Sequence, residues 1–452
     1  MTIRLPYDIA DEALARATWS RLAEPADRAA VALVAGLGAC GALQWLTGPA
    51  TDSDGEPSPC PPLPLEGHDG PDRRAGRPEQ WARAVARWTP RLAGLDIRRE
   101  MEVLERLGGS LILPADPWWP PGLDELDETP FCLWVRGDPA LLVDSEDQGL
   151  GHDGHEAIGE AQPCPDPESP STRRPARPGL PTRRSRVSAG PALGLGIALV
   201  GARDSTRYGE QTASGLAAEL TAQGALIISG GAFGIDAAAH RGALGQGPTM
   251  AVSAGGVDRL YPAGNAALLE AVIATGALVA EVPPGCQPGR HRFLTRNRLI
   301  AAISQGVVVV EAAWRSGALS TAHHAQELGR PVGAVPGPVT SMASVGCHRL
   351  LRSGAVCVTD AQEVIELVGP LGGCDPEAAK ATDPRLAGQG MLDGLDPACA
   401  VVMDALPARS WAVTEAVVRA AGLSTRETIA ALGLLELLGR VERGARGWKR
   451  TG

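Results

Sequence analysis

The chain has 452 residues, a length typical of about three domains, and a formal net charge of −10. The acidic excess lies outside the central region: residues 190–370 contain twelve acidic and twelve basic side chains, so the net charge does not exclude a nucleic-acid partner. The nine cysteines form no C-x-x-C pair and no metal-ligand spacing. That pattern argues against a disulfide scaffold and predicts reduced thiols, with neither a metal nor a cofactor.

The basic side chains are almost all arginine, because Lys380 and Lys449 are the only lysines. Arginine suits bidentate phosphate contacts, although the abundance of alanine, glycine and proline makes genome composition a simpler cause of this bias. No apolar run approaches the ~20 residues that cross a bilayer, and the acids at positions 8, 11 and 12 are unlike a secretory leader. We therefore expect a soluble, cytoplasmic protein that contacts no membrane.

Residues 1–50 predict a helical segment, similar to a SAM or helix-hairpin module. Its apolar residues recur at loosely helical spacing, as at Leu14, Trp19 and Leu22. The following residues, 51–80, are rich in proline, glycine and aspartate, which is typical of a flexible loop.

Residues 81–143 lead into the next domain. They contain a helical pattern near Met101–Leu107 and two strand-like runs, Leu111–Leu113 and Phe131–Val135. Residues 144–190 contain few apolar side chains, so this insert is predicted to be disordered.

Residues 191–370 alternate short apolar runs with helical patterns. The runs lack the polar alternation of a half-exposed strand, which is typical of buried parallel strands. We predict an α/β domain with an extended Rossmann-like, doubly wound parallel sheet and a ligand crevice at the carboxyl ends of the strands. A linker at 371–395 follows. The predicted strands are Ile197–Val200, Ala225–Ile228, Met250–Ser253, Ala277–Val282, Val307–Val310 and Val332–Val335.

The run Ser229–Asp236 reads Ser-Gly-Gly-Ala-Phe-Gly-Ile-Asp and follows a predicted strand. A strand that ends on glycines and turns into a helix presents backbone N–H groups and a helix N-terminus to one point, which suits a phosphate. A tight turn without a ligand is the alternative. The candidate ligand-binding residues here are Gly201, Arg203, Ser229, Gly230, Gly231, Phe233 and Gly234.

The stretch Val282–Val310 contains no acidic residue, and a helix is predicted to begin within it, near Phe293. Cations at a helix N-terminus oppose the macrodipole, at a cost of roughly 0.3–1 kcal/mol each, so we expect a negative group beside them. An external polyanion is the favoured interpretation, and internal pairing with Glu281 or Glu311 is the alternative. The four arginines of the stretch are Arg290, Arg292, Arg296 and Arg298.

Other polar residues near the predicted crevice have more than one interpretation. Ser316, Gly317 and Thr321 suit either a further phosphate or a helix cap. Asp236 and His240, four residues apart on a predicted helix, suit an acid–base pair, but a structural role is favoured. His323 and His324 have no partner at ligand spacing. Any base contact is expected from Phe233, Tyr261 and Phe293 or from stacked arginines.

Residues 396–452 predict a winged-helix domain, with a helix at Thr414–Ala421, a capping box at Ser424–Glu427 and a hairpin at Arg440–Arg450. Its basic residues suit contact with a duplex backbone. A protein–protein module with a solvated basic edge is the alternative. The basic residues are Arg426, Arg443, Arg446 and Lys449.

In this order, the motifs resemble those of the bacterial DNA-processing protein A family (DprA, also called Smf). The resemblance covers about residues 95–368. The matching phrases are Val200–Gly209, Ser229–His240, Tyr261–Asn265, Phe293–Ser304, Val310–Ala312, Ser316–Thr321 and Val335–Gly337.

The resemblance implies a non-catalytic protein that binds single-stranded DNA without sequence preference, protects it and loads the RecA recombinase during natural transformation of competent cells. It also implies a homodimer formed through the Rossmann-like domain. By the same resemblance, Arg203, Arg296 and Arg298 contact DNA, and Gly230, Gly231 and Gly234 face a phosphate. The chain departs from the family in its inserts at 51–80 and 144–190. Because it has so few lysines, any lysine that contacts DNA in the family must be replaced by arginine here or lost.

Two enzyme classes fit less well. A nucleotide hydrolase of the lysine-decarboxylase-like group has a Pro-Gly-Gly-x-Gly-Thr loop followed by a catalytic glutamate, whereas this chain reads Ser-Gly-Ala-Leu-Ser-Thr at Ser316–Thr321. A dinucleotide-dependent oxidoreductase needs further glycines after Gly201. A regulator that recognises DNA mainly through its winged-helix domain remains a third alternative.

Overall fold

The computed structural model describes residues 4–48, 78–143, 195–369, 397–407, 410–444 and 446–451. The chain divides into two compact units, Met1–Pro370 and Leu371–Gly452. The predicted insert 144–190, the linker 371–395 and the predicted loop 51–80 up to residue 77 lie outside the described residues.

The larger unit is built on one sheet of nine strands. In space the strands follow the order β1-β2-β6-β5-β4-β3-β7-β8-β9. In this spatial order, the seven strands that start with β6 and end with β9 are all parallel to one another. At the other edge, β2 pairs antiparallel with β6, and β1 pairs antiparallel with β2. The strands are β1 (Gly109–Ile112), β2 (Leu133–Gly137), β3 (Gly196–Val200), β4 (Leu226–Ser229), β5 (Thr249–Ser253), β6 (Ala277–Ala280), β7 (Gly306–Val309), β8 (Val332–Ala334) and β9 (Val356–Cys357).

The large, mostly parallel sheet confirms the predicted α/β class. All six strands predicted in 191–370 are present, and their ends differ from the prediction by at most two residues. Every residue of β3, β6 and β7 is buried because helices cover both faces of the sheet. The chain order reverses between β3 and β7, which makes the carboxyl ends of these strands the topological switch point. The strands in 81–143 extend the same sheet.

Seven helices accompany the parallel strands. Helix α8 begins three residues earlier than Phe293, because the extended Gly289 ends the preceding loop. Its predicted buried side is confirmed, since Leu299, Ile300 and Ile303 are all buried. The helices are α5 (Arg207–Ala222), α6 (Ile235–Leu244), α7 (Ala266–Thr275), α8 (Arg290–Ile303), α9 (Ala318–Glu327), α10 (Val345–Arg352) and α11 (Ala361–Val368).

Four helices precede the sheet and pack around buried tryptophans. Trp19 is fully buried, its ring meets Trp88 edge-on with 5.3 Å between centroids, and its Nε1 donates to the carbonyl of Ala39 at 3.1 Å. Asp11 and Asp27 cap the first two helices. The helices are α1 (Glu12–Leu22), α2 (Arg28–Thr47), α3 (Pro78–Leu92) and α4 (Arg98–Arg106), so α3 begins inside the predicted loop 51–80.

The expectation that no apolar run approaches membrane-spanning length is wrong for α2. This helix has 20 residues and is long and apolar enough to cross a membrane by length and composition. Its Leu33 and Leu43 are fully buried against the neighbouring helices, and Gly38 interrupts it with a φ of 71°. The buried apolar residues of α2 therefore pack within the N-terminal helices, although only a third of its apolar window is buried.

The smaller unit contains three helices and a hairpin in its described residues. The predicted capping box is confirmed: Glu427 N donates to Ser424 Oγ at 3.3 Å, and Ser424 N donates to Glu427 Oε2 at 3.0 Å. Trp448 is buried and its backbone bridges Ala412. The elements are α12 (Pro397–Ala405), α13 (Thr414–Ala421), α14 (Thr425–Leu437), β10 (Val441–Gly444) and β11 (Gly447–Arg450).

We predict that Gly242→Ala destabilises the larger unit while Gly215→Ala stabilises it. A Cβ at Gly242 in α6 would overlap the backbone of Ser214 in α5, with its carbonyl carbon at 2.9 Å, and such overpacking costs about 1–3 kcal/mol. A Cβ at Gly215 meets nothing within 4 Å, and alanine in a helix interior is preferred by about 0.5–1 kcal/mol. Urea unfolding of both variants measures the difference; equal effects would contradict the close packing of α5 on α6.

Candidate nucleic-acid interface

The glycine loop, defined here as Ser229–Gly234, continues β4 at the carboxyl edge of the sheet. Ser229 is buried and its hydroxyl donates to the carbonyl of Leu199 at 2.7 Å. Gly234 has a φ of 76°, and a Cβ there would approach the Arg203 carbonyl oxygen at 2.7 Å. The half-buried Gly201 directly follows β3 and lies beside Ile235, so the segments after β3 and β4 lie against each other.

Arg296 lies beneath the glycine loop with only 5% of its surface exposed. Its Nη1 donates to the carbonyl of Gly230 at 2.9 Å and also to that of Val252. A Cβ at Gly230 would overlap the guanidinium and lie 2.6 Å from Asp236 Oδ2, so this position has no room for a side chain. Burial lowers the pKa of Arg296 to about 10, against the opposing effect of Asp236, so the group is protonated at neutral pH.

Asn265 supports the same loop from the other side. It is buried, and its Nδ2 donates to the carbonyls of Gly231 and Ala232, each at 3.0 Å. In a planar trans peptide the carbonyl and the following N–H point in opposite directions. The N–H of Phe233 follows the Ala232 carbonyl, and the N–H of Gly231 follows the Gly230 carbonyl held by Arg296, so both are turned away from these anchors. Neither donates a hydrogen bond within the described part of the chain, whereas the Ala232 N–H donates to Asp236 Oδ2 at 3.4 Å.

The guanidinium of Arg203 stacks on one of three neighbouring aromatic side chains. The Arg203 guanidinium lies 4.5 Å from the ring centroid of Phe293, which is a cation–π contact. The Phe293 ring is 5.6 Å from that of Tyr261. Phe233 and Tyr261 are 48% and 50% exposed, and Phe233 lies against Gly264. We call Phe233, Tyr261 and Phe293 the aromatic rim; with Arg203 they form a stacking surface beside the free amides.

The four arginines of the acid-free stretch do not face solvent together. Arg298 is 3% exposed, and its Nη2 donates to Glu281 Oε1 at 2.6 Å. Arg292 is half-buried and pairs with Glu24 at 2.9 Å, whereas Arg290 is exposed. The expectation that this cluster faces an external polyanion is therefore corrected for Arg292, Arg296 and Arg298, whose guanidiniums have internal partners.

Of the two acids proposed as internal partners, only Glu281 pairs with one of these arginines. Glu311 is buried and accepts from the backbone N and the hydroxyl of Thr206, at 2.9 and 2.5 Å. These bonds fix the segment between β3 and α5.

Glu24, in the loop after α1, is the partner that the sequence did not reveal. Its carboxylate contacts Arg91, His291 and Arg292, the last of which is 268 residues away in sequence. Burial alone would raise the pKa of Glu24, but the hydrogen bonds from Arg292 and His291 lower it to about 2. The N-terminal helices are thereby bound to the first turn of α8.

Asp236 and His240 do not form an exposed acid–base pair. Both are buried, and burial raises the pKa of Asp236 and lowers that of His240 to about 3. The hydroxyl of Thr249 donates to the Ile227 carbonyl, so His240 Nδ1 carries the proton of its 2.9 Å bond to Thr249 Oγ1. The unprotonated Nε2 has no hydrogen-bond partner in the part of the chain that the structure describes. The structural role considered for this pair matches their surroundings.

The polar groups of the Ser316–Thr321 loop bond within the chain at the start of α9, whose N-cap is Gly317 and has no side-chain cap. Ser316 Oγ accepts from Ala318 N at 3.3 Å, the exposed Gly317 accepts from Asn297 Nδ2 at 3.1 Å, and Thr321 is buried. His323 and His324 lie beside Glu327, at 3.3 and 3.1 Å. Among the described residues, no three His, Cys, Asp or Glu side chains form a group that suits a metal ion.

In the smaller unit, the predicted basic residues concentrate on the hairpin. Arg443 lies over the ring of Trp448 at 5.4 Å, and Arg446 lies over Trp411 at 6.0 Å. Lys449 is half-buried on β11, and Arg426 is exposed in the first turn of α14.

Comparison with known proteins matches much of this chain to relatives in one family. Residues 192–369 match a family model described as DNA recombination-mediator protein A. The DNA processing protein DprA of Mycobacterium tuberculosis is 42% identical over 347 residues, which are 76% of this chain and 77% of that protein. The chain belongs to the DprA/Smf family.

Two solved structures of the family resemble the present one. DprA from Streptococcus pneumoniae is 28% identical, with a TM-score of 0.48, and the match covers 63% of this chain and 83% of that one. DprA from Helicobacter pylori, described as showing a single-stranded DNA binding mode, is 26% identical, with a TM-score of 0.43 over 57% of this chain and 94% of that one.

We predict that stability decreases as pH falls below 6.5 and that His240→Gln removes part of this dependence. The unfolded imidazole gains a proton near its ordinary value of 6.5, whereas the folded one resists protonation until about 3. The folded state therefore loses up to about 1.4 kcal/mol per pH unit in that window from this group. Urea unfolding between pH 7.5 and 5 measures the slope. The matched control is the exposed His323→Gln; equal slopes in parent and His240→Gln would contradict a neutral, buried His240.

Proposed function

We propose that this protein binds single-stranded DNA without sequence preference and without catalysis. The observation that supports this most directly is the exposed Arg203 guanidinium stacked on Phe293, near backbone amides that have no acceptor among the described residues. A guanidinium and main-chain N–H groups together suit a phosphodiester. Because the relatives are named DNA processing proteins, we take DNA to be the molecule that supplies this phosphodiester.

The aromatic rim supports single strands over duplexes. Phe233 and Tyr261 are each about half exposed, and a base stacks on such a ring only when its faces are free. Stacking tolerates any base because every base has a π-face, so the proposed binding does not depend on sequence. Arg290, exposed on the first turn of α8, supplies a second cation near the rim.

Arg296 and Arg298 take a supporting role in this proposal. Arg296 holds the Gly230 carbonyl inward, which turns the next amide outward, and Arg298 neutralises the buried Glu281. In this proposal, the anion is bound by backbone groups of the glycine loop, which includes Gly230, Gly231 and Gly234. The arrangement binds an anion without presenting a nucleophile or an acid–base pair, since Asp236 and His240 lie in the interior.

The finer biological role follows from family membership. We propose that the protein protects incoming single strands and helps load RecA during natural transformation of competent cells; the family model's description as a recombination mediator supports a recombinase partner. We further propose a homodimer formed by the Rossmann-like unit. The exposed Val356 on the end strand β9 supports association there, because an open sheet edge is a pairing surface.

We propose a winged-helix assignment and duplex-backbone contact for the smaller unit. Its three helices, its hairpin and the arginines stacked on Trp411 and Trp448 support this role. The exposed Leu434 and Leu437 on α14 favour the protein–protein alternative for the same unit. We also propose a soluble, cytoplasmic location, supported by the packing of α2 among the N-terminal helices.

We predict that Arg203→Ala weakens single-strand binding about tenfold or more, equally for oligonucleotides of different sequence. The variant loses a charge-assisted phosphate contact together with a stacked guanidinium, each worth about 1 kcal/mol. Fluorescence anisotropy with oligo-dT, oligo-dC and a mixed sequence measures the affinity and its salt dependence.

Arg203→Lys keeps the charge but not the planar stacking group, so it should keep the salt slope and lose part of the affinity. The exposed Arg83→Ala on α3 is the matched control for loss of one arginine. Parent-like affinity of Arg203→Ala would refute the proposed site.

We predict that removal of residues 396–452 leaves single-strand affinity within about twofold of the parent and reduces duplex affinity. The proposed single-strand site lies wholly in the larger unit, whereas the stacked hairpin arginines lie in the smaller one. The same anisotropy assay with single-stranded and duplex probes measures both. Loss of all DNA binding would instead favour the regulator that reads DNA through its winged helix.

A further inference from the structure

A groove runs between helices α5 and α6 of the larger unit. It is open to solvent and has a volume of about 420 Å³. We call it the α5–α6 groove. It is lined by Arg207, Glu210, Gln211, Ser214, Ala238 and Arg241.

The charge of the α5–α6 groove is positive. Arg207 and Arg241 are both exposed, and neither forms an ion pair with any residue that the structure describes. The acid in the lining, Glu210, accepts a hydrogen bond from the hydroxyl of Ser205 at 2.9 Å. Two guanidiniums therefore line the groove without an internal carboxylate partner.

The groove begins next to the proposed single-strand site. Arg207 is the first residue of α5, four residues after Arg203. Thr206 between them caps α5 by accepting from Gly209 N at 3.1 Å, and its own N–H donates to Glu311 at 2.9 Å. A cation in the first turn of a helix opposes the macrodipole, so an anion bound beside Arg207 would relieve an unfavourable interaction.

The floor of the groove is rigid and polar. Gly242 of α6 contacts the backbone of Ser214 so closely that a Cβ would not fit, which fixes the two helices relative to each other. The lining offers two guanidiniums, an amide, a hydroxyl and one carboxylate but no aromatic ring, in contrast to the aromatic rim. Such a surface suits a phosphate backbone and gives bases nothing to stack on.

We propose that the α5–α6 groove is a second phosphate-binding site, which holds the backbone of a single strand that extends beyond Arg203. The inference rests on the proposed function, because it takes the strand's first contact to be at the aromatic rim. Bases over the groove are left unstacked by protein and accessible to a partner.

The test is a length series with Arg207→Ala/Arg241→Ala. Oligo-dT of about six nucleotides fills one site, and oligo-dT of about twenty extends past it, since single sites of this type cover about 4–16 nucleotides. We expect unchanged affinity for the short probe and about tenfold weaker binding of the long probe. For the long probe, the slope of log affinity against log salt concentration should decrease in magnitude by about 1.4, because each of the two lost phosphate contacts contributes about 0.7.

The matched control is Arg83→Ala/Arg99→Ala, which removes two exposed arginines from α3 and α4. Parent-like binding of both probes by Arg207→Ala/Arg241→Ala overturns the second site but leaves the proposed function intact. Equal weakening of both probes also overturns it, since the groove would then belong to the first site. A parent protein that binds neither probe refutes the proposed function itself, and the second site with it.

Discussion

The buried guanidinium of Arg296 is the constraint on which the geometry of the glycine loop depends. A charge removed from water costs several kcal/mol unless it is surrounded by hydrogen-bond acceptors. Here the carbonyls of Gly230 and Val252 and the nearby Asp236 compensate for that cost. Because the Gly230 carbonyl must point down to Arg296, the amide that follows must point up. A buried cation thus sets the direction of a neutral donor in the glycine loop.

The arginines near the switch point fall into three groups with different roles. Arg296 and Arg298 are buried and support the fold, Arg292 binds the N-terminal helices through Glu24, and Arg203 and Arg290 are exposed. A count of basic residues in the sequence therefore overstates the charge available to a ligand. The exposed guanidinium at 203 gains its orientation from Phe293, which limits the rotamers that it loses on binding.

The sheet and its glycine loop were predictable because short buried apolar runs and glycine turns are local signals. The burial of Arg296 also had a local signal: it lies four and seven residues before Ile300 and Ile303, on the face that α8 buries. The partnership of Arg292 with Glu24 had none, since it joins residues 268 apart and depends on how α1 packs. The length of α2 was misjudged because glycine and alanine extend its apolar run.

The pairing of β2 with β6 has a consequence for where this unit can be divided. The family model begins at residue 192, yet β6 is an interior strand only because Leu133–Gly137 is bonded to its outer side. In a fragment starting at residue 192, the outer N–H and C=O groups of β6 would have no partner strand, so the fragment would be prone to self-association. It would also strip Glu24 from Arg292 and His291. The minimal autonomously folding piece is therefore larger than the segment that the family model matches.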